Sequence, residues 1–390
     1  MKIESVDFFY LSMPEVLDIG DGSQDCCLVR VRSGRFEGWG ECEASPLVSI
    51  AGLVAPMSHS ACHPVRDSVI GESVEEPGDI GRINARVRER SFDMLQADHV
   101  LSGIDIALWD LLGRSKGEPV WSLLGWRRAE PKRPYASVLF GESPQGTEAK
   151  ARSVREKGFK AAKFGWGPFG KTTVSNDRNQ VLAAREGLDK DGILLIDAGT
   201  IFGDDVEQAR RRLGVLKDTR AVWFEEPFHS GALKAYAALA TEAAPVKLAG
   251  GEGCHDLHMA RNMIDSAALG YIQIDTGRIG GITTAKQVVE YARHAHVTYV
   301  NHTFTSHLAL AASIAPFAGN DRNDLCEYPA EASILAESLT REKLVPEDGL
   351  LTLPDAPGLG VTVNPDTVRK YLVQVEIKVG GKILYRPPAI

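Results

Sequence analysis

Several things are scarce or missing in this 390-residue chain, and each absence narrows what it can do. Its six cysteines (26, 27, 42, 62, 254 and 326) form no CxxC pair. A chain this long buries enough apolar surface without staples, so reduced thiols in a cytoplasmic protein are expected. No apolar stretch reaches the length that spans a bilayer, and the start, Met1-Lys-Ile-Glu-Ser5, runs into an alternating strand rather than a signal peptide. Positive charge is in deficit: 44 Lys and Arg face 52 Asp and Glu, a formal charge of −8. That balance argues against nucleic acid or an anionic membrane as a partner. There is no low-complexity arm, heptad run or short repeat that would mark a structural or interaction protein.

What remains is a soluble globular composition, 44% hydrophobic and 25% charged. Three apolar runs in the second half end in acids: Ile193–Asp197, Val222–Glu225 and Leu248–Glu252. Such runs, bounded by turn residues, read as buried strands of a parallel sheet. A lone buried carboxylate is costly unless paired or metal-bound. Three on neighbouring strands would converge on one point, and hard oxygen ligands gathered this way suit a magnesium ion.

Other runs also end in polar residues: Lys163, Asp275, His302 and Glu327. Successive termini lie roughly 23 to 34 residues apart, about the length of a strand, a helix and two loops. Helical patterns fill the gaps at 205–216, 232–242, 257–266 and 283–295. With a first strand near 134–140, eight strands alternate with helices, the signature of a (β/α) barrel whose active site lies at the carboxyl ends of the strands. An open doubly wound sheet is the runner-up, but Gly165–Gly170 does not match its phosphate-loop fingerprint.

The division expected is a 1–125 α+β capping domain, a 126–350 barrel and a 351–390 segment returning to the cap. Alternating runs at 3–11 and 27–31 lead to Gly38-Trp-Gly-Glu41 and suggest an antiparallel meander. A loop-rich stretch, 43–67, carries His59 and His63 and is expected to face the substrate; 103–113 has helical spacing.

Taken in order and at these spacings, the motifs resemble the enolase superfamily, and within it the mandelate racemase subgroup, over nearly the whole chain. They are Gly38-Trp-Gly-Glu41, Ala107-Leu-Trp-Asp-Leu111, Gly117-Glu-Pro119, Leu123-Leu-Gly125, Asp197, Glu225-Glu-Pro227, Gly251-Glu252, Asp275 with Gly280-Gly281, His302, Glu327 and Pro357–Val361. The resemblance implies an α+β cap on a modified (β/α)₇β barrel. It also implies Mg²⁺ held by Asp197, Glu225 and Glu252, and removal of a proton next to a carboxylate by a Lys or His base. His302 is then the base, with Asp275 fixing its tautomer. Glu327 would face the substrate carboxylate.

One departure stands out. The subgroup carries Lys-x-Lys at the end of the second barrel strand; here Lys163 matches the first lysine and Gly165 replaces the second. Lys160 cannot substitute, because alternation places it on the opposite face from Lys163. With one acid/base pair rather than two, syn dehydration of an acid sugar (aldonate or aldarate) to a 2-keto-3-deoxy acid fits best, His302 removing the proton and returning one to the leaving hydroxyl. Lys163 would hold the substrate carboxylate. A racemase, epimerase or cycloisomerase is the alternative, with His59 or His63 as second acid; a non-catalytic binder of metal-chelated acids is a third reading. Arg278 is a candidate for a distal substrate carboxylate and Trp166 for a pocket wall. Glu226 is read as a structural partner of Lys163 or another cation, and His255 and His258 as surface or structural. The expected partner is a small carboxylate substrate, in a homo-oligomer.

Overall fold

The computed structural model describes every residue except 21, 22, 44 and 322. The 43–67 stretch, expected to face the substrate, therefore lies partly outside the described residues. The chain opens with an antiparallel three-stranded sheet of β1 (Ser5–Leu11), β2 (Cys26–Ser33) and β3 (Phe36–Cys42). Helix Ala97–Lys116 lies against β3 at very short range, and glycines make this possible. A Cβ on Gly38 would sit 2.1 Å from the Ala107 carbonyl oxygen, and one on Gly40 would sit 2.2 Å from that of Gly103. The Gly38-Trp-Gly motif is thus a packing device. Asp110, buried in the same helix, accepts the Trp39 amide at 2.9 Å and the Leu359 amide at 2.8 Å, tying strand, helix and C-terminal segment together.

Eight parallel strands follow: β4 (Arg133–Leu139), β5 (Ala161–Gly165), β6 (Ile193–Asp197), β7 (Trp223–Glu225), β8 (Lys247–Gly250), β9 (Tyr271–Asp275), β10 (Thr298–His302) and β11 (Leu325–Pro329). Their order, β10-β9-β8-β7-β6-β5-β4-β11, is that of a barrel unrolled at the β10–β11 seam. Side chains bridge the seam. Asn301 Nδ2 donates to the Glu327 carbonyl at 3.3 Å, the Glu327 amide donates to Asn301 Oδ1 at 2.9 Å, and Asn323 Nδ2 donates to the Tyr299 carbonyl. Helices separate successive strands, giving the modified (β/α)₇β arrangement. The segment expected as one helix, 205–216, is two short ones, Val206–Arg210 and Leu213–Asp218.

Inside the barrel an apolar plug of Tyr135, Ala161, Leu195, Trp223, Ala249, Val300 and Leu325 fills the axis. Polar side chains are left to gather at the carboxyl ends of the strands above it, as barrel geometry requires. The C-terminal stretch, with hairpin β12 (Ile377–Val379) and β13 (Lys382–Tyr385), returns to the first sheet. Tyr385 Oη donates to the Phe8 carbonyl at 2.8 Å, and Arg30 donates to the Ala389 carbonyl at 2.7 Å. No helix among the described residues is long and apolar enough to cross a membrane.

Candidate active site

Period-two alternation decides which residues enter the barrel mouth. Lys163 on β5 points inward beside Asp197 at the end of β6, Glu225 at the end of β7 and Glu327 on β11. Its Nζ lies 2.6 Å from Glu225 Oε1, 2.9 Å from Glu327 Oε1 and 3.5 Å from Asp197 Oδ2. All four side chains are buried. Burial alone would strip the proton from Lys163, but Glu225, Glu327 and Asp197 outweigh it and hold its pKa well above the ordinary value. Glu225 is pushed well up by burial and by Asp197 and Glu327, against the pull of Lys163, and Asp197 moves up for similar reasons. The expectation that Glu226 partners Lys163 is corrected. Glu226, at φ 37°, turns the other way and accepts the Gly251 amide at 3.3 Å; burial, Glu252 and Asp197 push it up to about 8.

A second knot of charge lies alongside. His302 and Asp275 end neighbouring strands and face each other in register, with Nδ1 2.7 Å from Asp275 Oδ2. Asp275 Oδ1 accepts the Gly277 amide at 2.6 Å, which fixes the carboxylate in its plane. Glu252, two residues past the end of β8, sends Oε2 to within 3.1 Å of His302 Nε2 and Oε1 to within 3.2 Å of Arg278. Burial opposes charge on His302, yet Glu252, Glu327 and Asp275 prevail and hold its pKa well above the usual imidazole range. Asp275 resists protonation despite burial, because Glu43 and His302 hydrogen-bond it.

Of the other candidates, Trp166 lies in the mouth. It holds φ 57° and, with Lys163, Gly165, Asp197, Phe304 and Glu331, lines a narrow cleft. Gly20 of the N-terminal loop packs on the same indole. Arg278 is placed differently from expectation. It lies half-buried between Glu43 and Glu252, which take its two terminal nitrogens as carboxylate partners. His59 and His63 also depart from expectation. Exposed His59 faces Asp93 at 3.4 Å, and His63 Nδ1 meets Arg90 at 2.9 Å; their loop folds onto the end of helix Pro77–Arg90. His255 is exposed and meets His99 Nε2 at 3.1 Å.

Sequence reasoning missed Glu43, which lies just past β3 and pairs with Arg278. The available signal was a second acid two residues after Glu41, at the end of a strand aimed at the barrel. Among the described residues, Glu43, Asp275 and His302 are also the trio whose ligand atoms lie within 4.8 Å of one another. The His302 nitrogen involved is already committed to Asp275, so this trio reads as a hydrogen-bonded network. Of the expected magnesium ligands, Asp197 and Glu225 share one lysine and have negative charge to spare for a divalent cation, whereas Glu252 directs its two oxygens to His302 and Arg278. Glu225 Oε2 is buried without a hydrogen-bond partner, and Asp197, Glu225 and Glu327 crowd around a single lysine. That excess of negative charge suits a hard dication.

Comparison with known proteins agrees with the two-part architecture. The family described as "Enolase C-terminal domain-like" matches residues 146–367, and "Mandelate racemase / muconate lactonizing enzyme, N-terminal domain" matches residues 20–125. A D-galactarolactone cycloisomerase of Agrobacterium fabrum is 31% identical over 287 residues, 70% of this chain and 73% of that one. A D-galactonate dehydratase of Klebsiella pneumoniae is 27% identical over 345 residues, 85% and 86% of the two chains. A crystal structure of a "predicted Mandelate racemase" from Rhodobacter sphaeroides superposes with a TM-score of 0.96 at 54% identity, over all of both chains. With barrel, cap and charged mouth all accounted for, the chain belongs to the mandelate racemase subgroup of the enolase superfamily and is an enzyme.

Proposed function

We propose that this enzyme dehydrates an acid sugar to a 2-keto-3-deoxy acid, using His302 as the single acid/base group. One observation carries the reading. Among the described residues the mouth holds one imidazole–carboxylate pair, and the position where the family places a second lysine is Gly165, which has nothing to give or take. The position is also crowded. A Cβ on Gly165 would come within 2.9 Å of Asp197 Cβ and 3.0 Å of its Oδ2.

The residues divide the work as follows. Lys163 presents the charge that attracts the substrate carboxylate, and the three acids around it keep it protonated and in place. His302 Nε2 removes the α-proton while Asp275 holds Nδ1–H and stabilises the imidazolium that forms. The C–H electron pair forms the double bond as the β-hydroxyl leaves; His302 returns its proton to that hydroxyl, which departs as water. The resulting enol becomes the 2-keto acid. Magnesium held by Asp197, Glu225 and Glu252 would supply positive charge at the substrate carboxylate, where negative charge builds up during proton removal. Trp166 and Phe304 line the cleft beside Lys163 and Asp197 and would form one wall of the substrate pocket.

A second reading has one specific support, the 31% identity to a lactone cycloisomerase. There the leaving oxygen belongs to a ring rather than to a free hydroxyl, and the same base starts the reaction. A magnesium-dependent screen of aldonates, aldarates and their lactones, with 2-keto acids read as semicarbazones, separates the two. Keto acid from open-chain substrates, lost with chelator and in His302→Ala, supports dehydration. Turnover restricted to lactones supports cycloisomerisation. Deuterium wash-in at the α-carbon without net change would point to epimerisation and overturn both.

A further inference from the structure

Beside His302 Nδ1 and Asp275 stands an acid that the reaction above does not use. Glu43 comes from the cap, not the barrel. Its amide donates to the Gly277 carbonyl at 3.2 Å, and its Oε1 pairs with Arg278. The approach depends on Gly277, where a Cβ would lie 2.8 Å from the Glu43 nitrogen and 3.0 Å from both Glu43 Cβ and Asp275 Oδ1. Glu43 Oε2 is buried and finds no donor. What faces it is His302 Nδ1 at 3.7 Å and the Asp275 carboxyl. The Nδ1 proton is already given to Asp275 at 2.7 Å. Two carboxylates in a buried site with no donor between them repel each other, and a single shared proton removes both the repulsion and the orphaned atom.

We propose that Glu43 is a neutral carboxylic acid whose Oε2 donates a hydrogen bond to Asp275, making it a positioning residue through which the docked cap holds the His302–Asp275 pair in line. Asp275 then receives three donors: the Gly277 amide, His302 Nδ1 and Glu43. Burial and Asp275 push the Glu43 pKa well up even against Arg278. The base is therefore complete only when the cap is seated on the barrel.

The catalytic part of this inference rests on His302 being the base, so the test has one arm that needs no substrate. In the infrared difference spectrum of resting wild type minus Glu43→Gln at pH 7, a protonated-carboxyl stretch is expected; loss of an ionised carboxylate band instead would overturn the proposal. The second arm is kinetic. Gln reproduces a neutral acid here, since its amide N–H donates to Asp275 while its carbonyl accepts from Arg278. Glu43→Gln is expected to keep kcat within about threefold, whereas Glu43→Ala is expected to lose roughly 10- to 100-fold in kcat with KM nearly unchanged. Equal losses in both variants, or none in Glu43→Ala, would overturn the positioning role. If wild type turned over no acid sugar, the infrared arm would still decide the state of Glu43, and only the dehydratase reading would fall.

Discussion

Replacing Lys163 by Met tests how the charge in the barrel mouth is balanced. Lys163 Nζ lies 2.6, 2.9 and 3.5 Å from three buried acids. Removing one partner from a buried ion pair typically costs about 3–5 kcal/mol, because the remaining charge is left desolvated. With three acids sharing one cation, the upper half of that range is expected in the presence of chelator. A cation at 100 times its Kd would restore about 2.7 kcal/mol by mass action. Lys163 also competes with the cation for Asp197 and Glu225, so the variant should bind magnesium more tightly than wild type and gain more stability from it. The pH dependence has a definite sign. Asp197 and Glu225 already titrate above their ordinary values, and without Lys163 they move higher. The folded variant then binds more protons than the unfolded chain between about pH 4.5 and the raised values, so its deficit shrinks as pH falls. Urea unfolding followed by tryptophan fluorescence, in chelator and in magnesium at pH 5 and pH 8, measures all three effects. A variant as stable as wild type in chelator at pH 8, or one gaining no extra stability from magnesium, would refute the reasoning.

Other outcomes follow from the same geometry. His302→Ala should lower kcat by at least about 10³-fold with fold and metal binding intact, and Asp275→Asn by about 10²-fold, measured by semicarbazone assay with circular dichroism as control. Gly165→Ala forces a methyl to within 3.1 Å of three Asp197 atoms; it should weaken magnesium affinity roughly 10-fold or more, read by calorimetric titration. His59→Ala and His63→Ala should leave kcat/KM within about twofold of wild type, because both side chains bond within the cap. A tenfold loss in either would return that loop to the substrate.

The sequence by itself determined the architecture and which polar residues end the barrel strands. An apolar run ending in a polar residue can be read without coordinates, since parallel strands buried on both faces leave only their carboxyl ends for polar groups. Asp197, Glu225, Asp275 and His302 were legible for that reason, as was the missing base at Gly165. Tertiary structure alone decided which charge meets which. Lys163 meets Glu225, Glu327 and Asp197 from three other strands, while Glu226 accepts the Gly251 amide instead. Arg278 proved to be a half-buried tie between Glu43 and Glu252, and His59 and His63 found partners within the cap, at Asp93 and Arg90. Glu43 stayed hidden because its partners lie more than 230 residues further along the chain. Alternation and spacing report what a residue's own element buries. Which distant element is packed against it is fixed only when cap and barrel meet.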